Sequence, residues 1–248
     1  MKTSERHRLK DNDLALALGS AQGWFGENRS TLLATIGAIL IVGGAAGGYT
    51  IWKGSVDGKS RTMLAEAMVI EESRVAPPGP PAGTTNDPTA TGGQAPGTYP
   101  TEKAKLEAAL PKFMAAADAY PTKDAGIEAR YRAASVLVGL GRFDDAVKQY
   151  DQVIAAGTGL VARMSRLGKA EAQLRAGQFD PAIATLKDLS ESQTAGLPAD
   201  GLLMELARAY RLAGKHDEAN KTFKQIVDQH ADSPFAAEAK AELVKVKS

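Results

Sequence analysis

The chain reads as an all-α protein in which a single N-terminal transmembrane helix precedes an α-solenoid of about three to four helical hairpins. Two observations predict this. A six-residue phrase is written three times in the second half: Gly141-Arg142-Phe143-Asp144-Asp145-Ala146, Gly177-Gln178-Phe179-Asp180-Pro181-Ala182 and Gly214-Lys215-His216-Asp217-Glu218-Ala219. Its spacings are 36 and 37 residues, and self-similarity at such a period marks stacked units that bury their faces against one another. Near the start, 23 residues from Ser30 to Trp52 carry no charge. As a helix rising about 1.5 Å per residue, that run covers the roughly 30 Å hydrocarbon core of a bilayer.

Each phrase has the chemistry of a turn between helices. Glycine accepts the left-handed backbone of a helix exit. The aspartate three residues later is predicted to cap the next helix, with Pro181 at the first helical position, where its missing N–H costs nothing. The alanine lets the second helix approach the first. Hairpins are therefore expected at about 125–156, 160–191 and 199–230. Seven residues before each glycine stands Ala134, Ala170 or Ala207, and nine after it Tyr150, Leu186 or Phe223. These positions resemble the tetratricopeptide repeat, which places a small residue in its first helix and a large apolar one in its second. The aromatic that this family carries in the first helix stands here as Tyr210 but is replaced by Leu137 and Gln173. The closing proline is shifted or absent, so the repeats are degenerate.

The uncharged run is bracketed by Arg29 and Lys53, with Tyr49 and Trp52 where an interfacial aromatic belt belongs. A cleaved signal peptide ending in the small residues after Val42 is the competing reading. Against it, 29 residues precede the run, and the apolar stretch resumes at Tyr49. An uncleaved single-pass anchor is expected. Charge does not settle its orientation. Lys10 and Arg29 lie on one side and Lys53, Lys59 and Arg61 on the other, while Lys2, Arg6 and Arg8 favour an inside N-terminus. Gly43-x-x-x-Gly47 and Gly44-x-x-x-Gly48 form a small-residue face that permits close helix contact.

The organisation follows. Residues 1–29 form a cytoplasmic leader, 30–52 the transmembrane helix, and 53–75 a juxtamembrane helix that serves as first helix of a partial repeat. Residues 76–100 hold seven of the twelve prolines, five glycines and Asp87 as the sole charge. Such a stretch cannot bury a core and is expected to be an extended or disordered linker. Residues 101–248 form the repeat domain. It opens with an Ala-rich helix to Tyr120, kinked or restarted at Pro111, and closes with a capping helix opened by Asp232 or Ser233.

A short leader, a Gly-rich span and degenerate repeats together resemble the YfgM-like family. The matching elements are Trp24-Phe25-Gly26-Glu27-Asn28 before the span, Gly43-Gly44 and Gly47-Gly48 within it, and Tyr49 with Trp52 closing it. Ser60-Arg61-Thr62-Met63-Leu64-Ala65-Glu66-Ala67 looks like that family's first soluble helix, and the Pro-rich insertion departs from its pattern. The resemblance implies an ancillary subunit of the SecYEG translocon, anchored in the bacterial inner membrane with its N-terminus cytoplasmic and its repeats periplasmic. It further implies contact with translocon subunits, a membrane-anchored prolyl isomerase and unfolded secreted clients.

Composition narrows the function. A formal charge of +1 makes no field to gather nucleic acid, and zero cysteines remove disulfides, thiol chemistry and a lipidated cysteine. His7, His216 and His230 have no metal-helix spacing, and Asp144, Asp180 and Asp217 occupy repeat positions of turn residues. No catalysis, cofactor or small-molecule substrate is expected. A concave face is, built from the first helix of each pair: Tyr131, Ser135 and Val138, then Met164, Leu167, Glu171 and Leu174, then Met204, Arg208 and Arg211. Each of these residues is equally able to pack against the neighbouring hairpin. The leading expectation is a membrane-anchored scaffold or chaperone-like subunit at the translocon. The alternative is a repeat adaptor in envelope assembly or cell division, and a third reading reverses the orientation to give a cytoplasmic adaptor.

Overall fold

A computed structural model describes residues 29–78, 95–192 and 196–245, without the side chains of residues 29–33, 35–37, 39, 40 and 245. Residues 1–28 of the expected leader and the middle of the expected linker, residues 79–94, lie outside this set. The chain divides into two units, Met1–Val56 and Asp57–Ser248.

Within the first unit, helix α1 (Arg29–Glu71) begins and takes in the whole uncharged run. Ile41, Val42, Tyr49, Ile51 and Trp52 are exposed, and a Cβ added at Gly43, Gly44, Gly47 or Gly48 would meet nothing within 4 Å beyond its own helix. The Tyr49 and Trp52 rings lie 6.1 Å apart. Among the described residues no helix is long and apolar enough to cross a membrane. The more apolar first half of the expected span has most of its side chains outside that set.

The second unit is an all-α solenoid. Residues 57–71 of α1 share a core with α2 (Glu102–Ala119) and α3 (Asp124–Gly139), in which Ala67, Phe113, Ala116, Ala133 and Val136 are buried. Then follow α4 (Phe143–Ala156), α5 (Gly159–Arg175), α6 (Phe179–Glu191), α7 (Ala199–Leu212), α8 (His216–Gln229) and α9 (Ala236–Lys245). The pairs α3/α4, α5/α6 and α7/α8 are the three hairpins marked by the repeated phrase.

The phrase works as a turn for the reason expected of its glycine. Gly141, Gly177 and Gly214 have φ of 74°, 76° and 73°. Around each, two backbone bonds close the helix: Gly141 N–H donates to Val138 O (3.0 Å) and Arg142 N–H to Leu137 O (2.9 Å). Gly177 and Gln178 repeat the pattern onto Leu174 and Gln173, as Gly214 and Lys215 do onto Arg211 and Tyr210. The aspartates behave differently from expectation. The caps are Arg142, Gln178 and Lys215, none with a side-chain cap bond, and Asp144, Asp180 and Asp217 sit in the first turn. There they complement the positive end of the helix dipole. Two of them also bridge repeats: Gln178 donates to Asp144 (3.0 Å) and Lys215 to Asp180 (2.7 Å). Pro181 accordingly falls at the third helical position, still among the N–H groups that lack an intrahelical partner.

The aligned flanking positions are core. Ala134, Ala170 and Ala207 have no exposed surface, nor have Ala146 and Ala182, and Tyr150, Leu186 and Phe223 are almost fully enclosed. Gly168 lets α5 approach α4, because a Cβ there would lie 2.6 Å from the Tyr150 ring.

Three local boundaries differ from the sequence reading. The helix expected to run to residue 75 ends at Glu71, and Arg74–Val75 forms strand β1, paired in parallel with β2 (Thr98–Tyr99). Arg74 faces Thr98, Val75 faces Tyr99, and Ala76 N–H donates to Tyr99 O at 2.9 Å. Both ends of the expected 76–100 linker are therefore held, because their backbone groups satisfy one another. Helix α2 is capped by the Thr101 hydroxyl, which accepts from Ala104 N–H at 3.1 Å, and it continues through Pro111 as one element. Helix α9 starts at Ala236, with Ser233 holding the turn before it through bonds from the Phe235 and Ala236 N–H groups.

Candidate protein-binding face

The first helices of the repeats, α3, α5 and α7, stack in sequence, so residues at one repeat position form a row across them. Helix α5 supplies the apolar part. Leu160, Met164, Leu167 and Leu174 fall three, four or seven residues apart, the spacing of one helix face. Leu160 is 52% exposed and Met164 38%, whereas Leu167 and Leu174 are half-buried against the core of α6 and α7. Leu160 was missed by the sequence reading, although its spacing to Met164 carries the signal.

On α3, Tyr131 is half-buried rather than free. Its ring meets Tyr150 edge-on at 5.9 Å, and Ser135 Oγ lies 3.1 Å from the Tyr150 hydroxyl. Burial pushes the Tyr150 phenol up to about 12. Burial, and next the Glu128 charge, raises Tyr131. Both rings stay neutral, so Tyr131 contributes a rigid amphipathic edge to the face and not a proton-transfer group.

Of the three α7 residues expected on this face, one is sealed in the core and two are tied to α9 while keeping part of their surface in solvent. Met204 has no exposed surface and lies in a core with Phe223, Ile226 and Ala239, against Phe235 and Leu243. Arg208 donates to Glu205 (2.7 Å) and to both oxygens of Glu238 on α9 (2.8 and 2.9 Å). Arg211 pairs with Glu242, also on α9. Helix α9 lies over this part of α7, so these residues hold α9 to the solenoid. Tyr131, Met164, Leu167 and Leu174 remain grouped towards its middle.

Two hollows extend the face. One, of about 540 Å³, is lined by Arg61 and Leu64 of α1, by Asp124, Ala125, Ile127 and Glu128 at the start of α3, and by Gly157, Thr158 and Val161 around the start of α5. Ion pairs hold its walls: Lys123 to Asp57 (2.9 Å), and Arg132 to Glu71 and Glu128 (2.9 Å each). The other, of about 210 Å³, is lined by Leu167, Glu171, Leu174, Leu186 and Glu205. The sequence reading singled out neither Arg61 nor Leu64 as part of a face, since an N-terminal helix joining it is a tertiary fact. Among the described residues no group of three or more histidine or acidic side chains is placed to hold a metal ion.

Comparison with known protein families agrees with this architecture. Residues 131–196 and 167–234 each match the tetratricopeptide repeat family model. A crystal structure of nearly identical TPR-like repeats assigned to a kinesin light chain of Podosopora anserina is 19% identical, at a TM-score of 0.48. It covers 57% of this chain and 77% of its own. A second crystal structure, of a methionine-substituted variant of those repeats, gives the same identity and score, covering 57% and 76%. No curated protein matches the chain. Residues 131–234 thus carry tetratricopeptide repeats, a kind of repeat that serves in protein-interaction scaffolds.

Proposed function

We propose that this protein is a non-catalytic, membrane-anchored scaffold that holds partner proteins or secreted clients against its repeats, on the outer side of the bacterial inner membrane and next to the translocon. The observation that carries the binding part is the solvent-open apolar strip Leu160–Met164 on α5, continuous with the half-buried Leu167 and Leu174. A mixture of exposed methionine and leucine beside fixed ion pairs suits weak, tolerant contact with segments of varied sequence. The anchoring part is supported by the uncharged run from Ser30 to Trp52 and its flanking Arg29 and Lys53. The translocon and the periplasmic side are supported by the YfgM-like resemblance alone. Confinement near a membrane raises effective concentration, so weak contacts on the repeat face suffice.

The test has two readouts on the full chain in its native membrane. Protease added to spheroplasts should degrade the repeats and spare the leader. A photocrosslinker placed at Met164 should capture translocon subunits or secreted chains. Protection of the repeats, with crosslinks to cytoplasmic proteins only, would overturn the placement. Crosslinks confined to envelope-assembly or division proteins would move the scaffold to that setting.

A further inference from the structure

The pocket between α5 and α7 has an unusual lining for a solenoid surface: three leucines, two glutamates and no basic residue. Leu167, Leu174 and the buried Leu186 make it apolar, while Glu171 and Glu205 place carboxylates on either helix. The geometry points to an occupant of one chemistry, and we infer that the pocket takes a lysine or arginine side chain of a partner polypeptide. This rests on the reading of the inner face as a protein-binding surface. The methylene stem would lie along the leucines and the cationic head would reach the carboxylates, as long basic side chains do at apolar–polar boundaries.

The existing partners of the two glutamates leave room for this. Glu171 accepts from Arg175 one turn along its own helix (2.8 Å), and both side chains are about half exposed. Such a pair holds its geometry weakly. Glu205 accepts from Arg208 (2.7 Å), but that guanidinium also binds both oxygens of Glu238. One positive charge is thereby divided between two carboxylates. The neighbouring cations are committed elsewhere, Arg211 to Glu242 and Arg166 to Asp188. An arriving cation therefore meets surplus negative charge. An anionic side chain would meet two carboxylates, and a purely apolar one would desolvate them without offering a bond.

Short fluorescent peptides, identical except for a central Lys, norleucine or Glu between flanking leucines, test this on the full chain in lipid nanodiscs. The Lys peptide should bind on the order of fivefold more tightly than the norleucine peptide, the scale of partly exposed ion pairs, and lose that advantage at high salt. The double variant Glu171→Gln, Glu205→Gln should erase the preference, by weakening the Lys peptide and sparing the norleucine peptide the desolvation of two charges, with unchanged helical circular dichroism. Equal binding of the Lys and norleucine peptides would overturn the inference and leave the binding face standing. Tightest binding of the Glu peptide would also overturn it, assigning the site to the arginines. If none of the three binds, the binding-face reading itself falls.

Discussion

Helices α5 and α7 are the same helix of successive repeats, yet their equivalent residues have opposite fates. Leu167, Glu171 and Leu174 stand 37 positions before Met204, Arg208 and Arg211. The α5 trio lines an open pocket, whereas Met204 is sealed and both arginines are bound to α9. The difference lies in the neighbour. Helix α7 presents Glu205 towards the α5 trio, and a charged side chain that keeps its water leaves a hollow. The C-terminal segment instead offers Phe235, Ala239 and Leu243, which close over Met204, and Glu238 and Glu242, which match the arginines. A repeat position therefore defines where a side chain points, and the next element along the stack decides whether solvent reaches it.

The strongest test of this contrast replaces each of the two methionines by serine. Met204→Ser should cost about 3–5 kcal/mol, because it empties a sealed apolar site and places a hydroxyl in it. Met164→Ser should stay within about 0.5 kcal/mol, as for other open surface positions. Urea denaturation measures both, and equal losses would mean that α5 is as covered as α7.

A smaller effect is expected from the middle of the solenoid at high pH. The Tyr150 phenol titrates higher folded than unfolded, so the folded state keeps its proton longer. The stability it contributes is present below pH about 10 and is lost as pH rises towards about 12. Tyr150→Phe should lack this loss, a difference of roughly 2 kcal/mol between the ends of that window. Parallel pH profiles for the two proteins would show that the ring is not enclosed in the alkaline range.

The mildest change should appear at the cap. Glu238→Gln weakens the bond from Arg208, which is partly exposed, so global stability should fall by less than about 1 kcal/mol. Amide exchange in α9 should nevertheless quicken relative to α5 and α6, since the terminal helix opens most readily. Unchanged exchange in α9 would show that its apolar contacts alone hold it.

The hairpin turns were legible because glycine at positive φ and alanine at a helix crossing are each demanded by local sterics that few other residues satisfy. The role of the aspartates was less so. Asp144 and Asp180 have cap chemistry, but their carboxylates reach Gln178 and Lys215 of the next repeat, about 35 residues on, and no local pattern marks that pairing. The apolar strip on α5 was partly visible from Met164, Leu167 and Leu174. The pocket beside it was not, because Glu205 is an ordinary surface residue until α7 is laid against α5.

The sequence by itself determined the period, the three glycine turns, and the small and large residues that let successive helices pack, because each is a requirement of backbone geometry or of close helix approach. Only the tertiary structure decided which face residues stay open. Solvent access at a repeat position depends on the bulk and charge of a neighbour tens of residues away, and here α9 covers on α7 part of what stays exposed on α5.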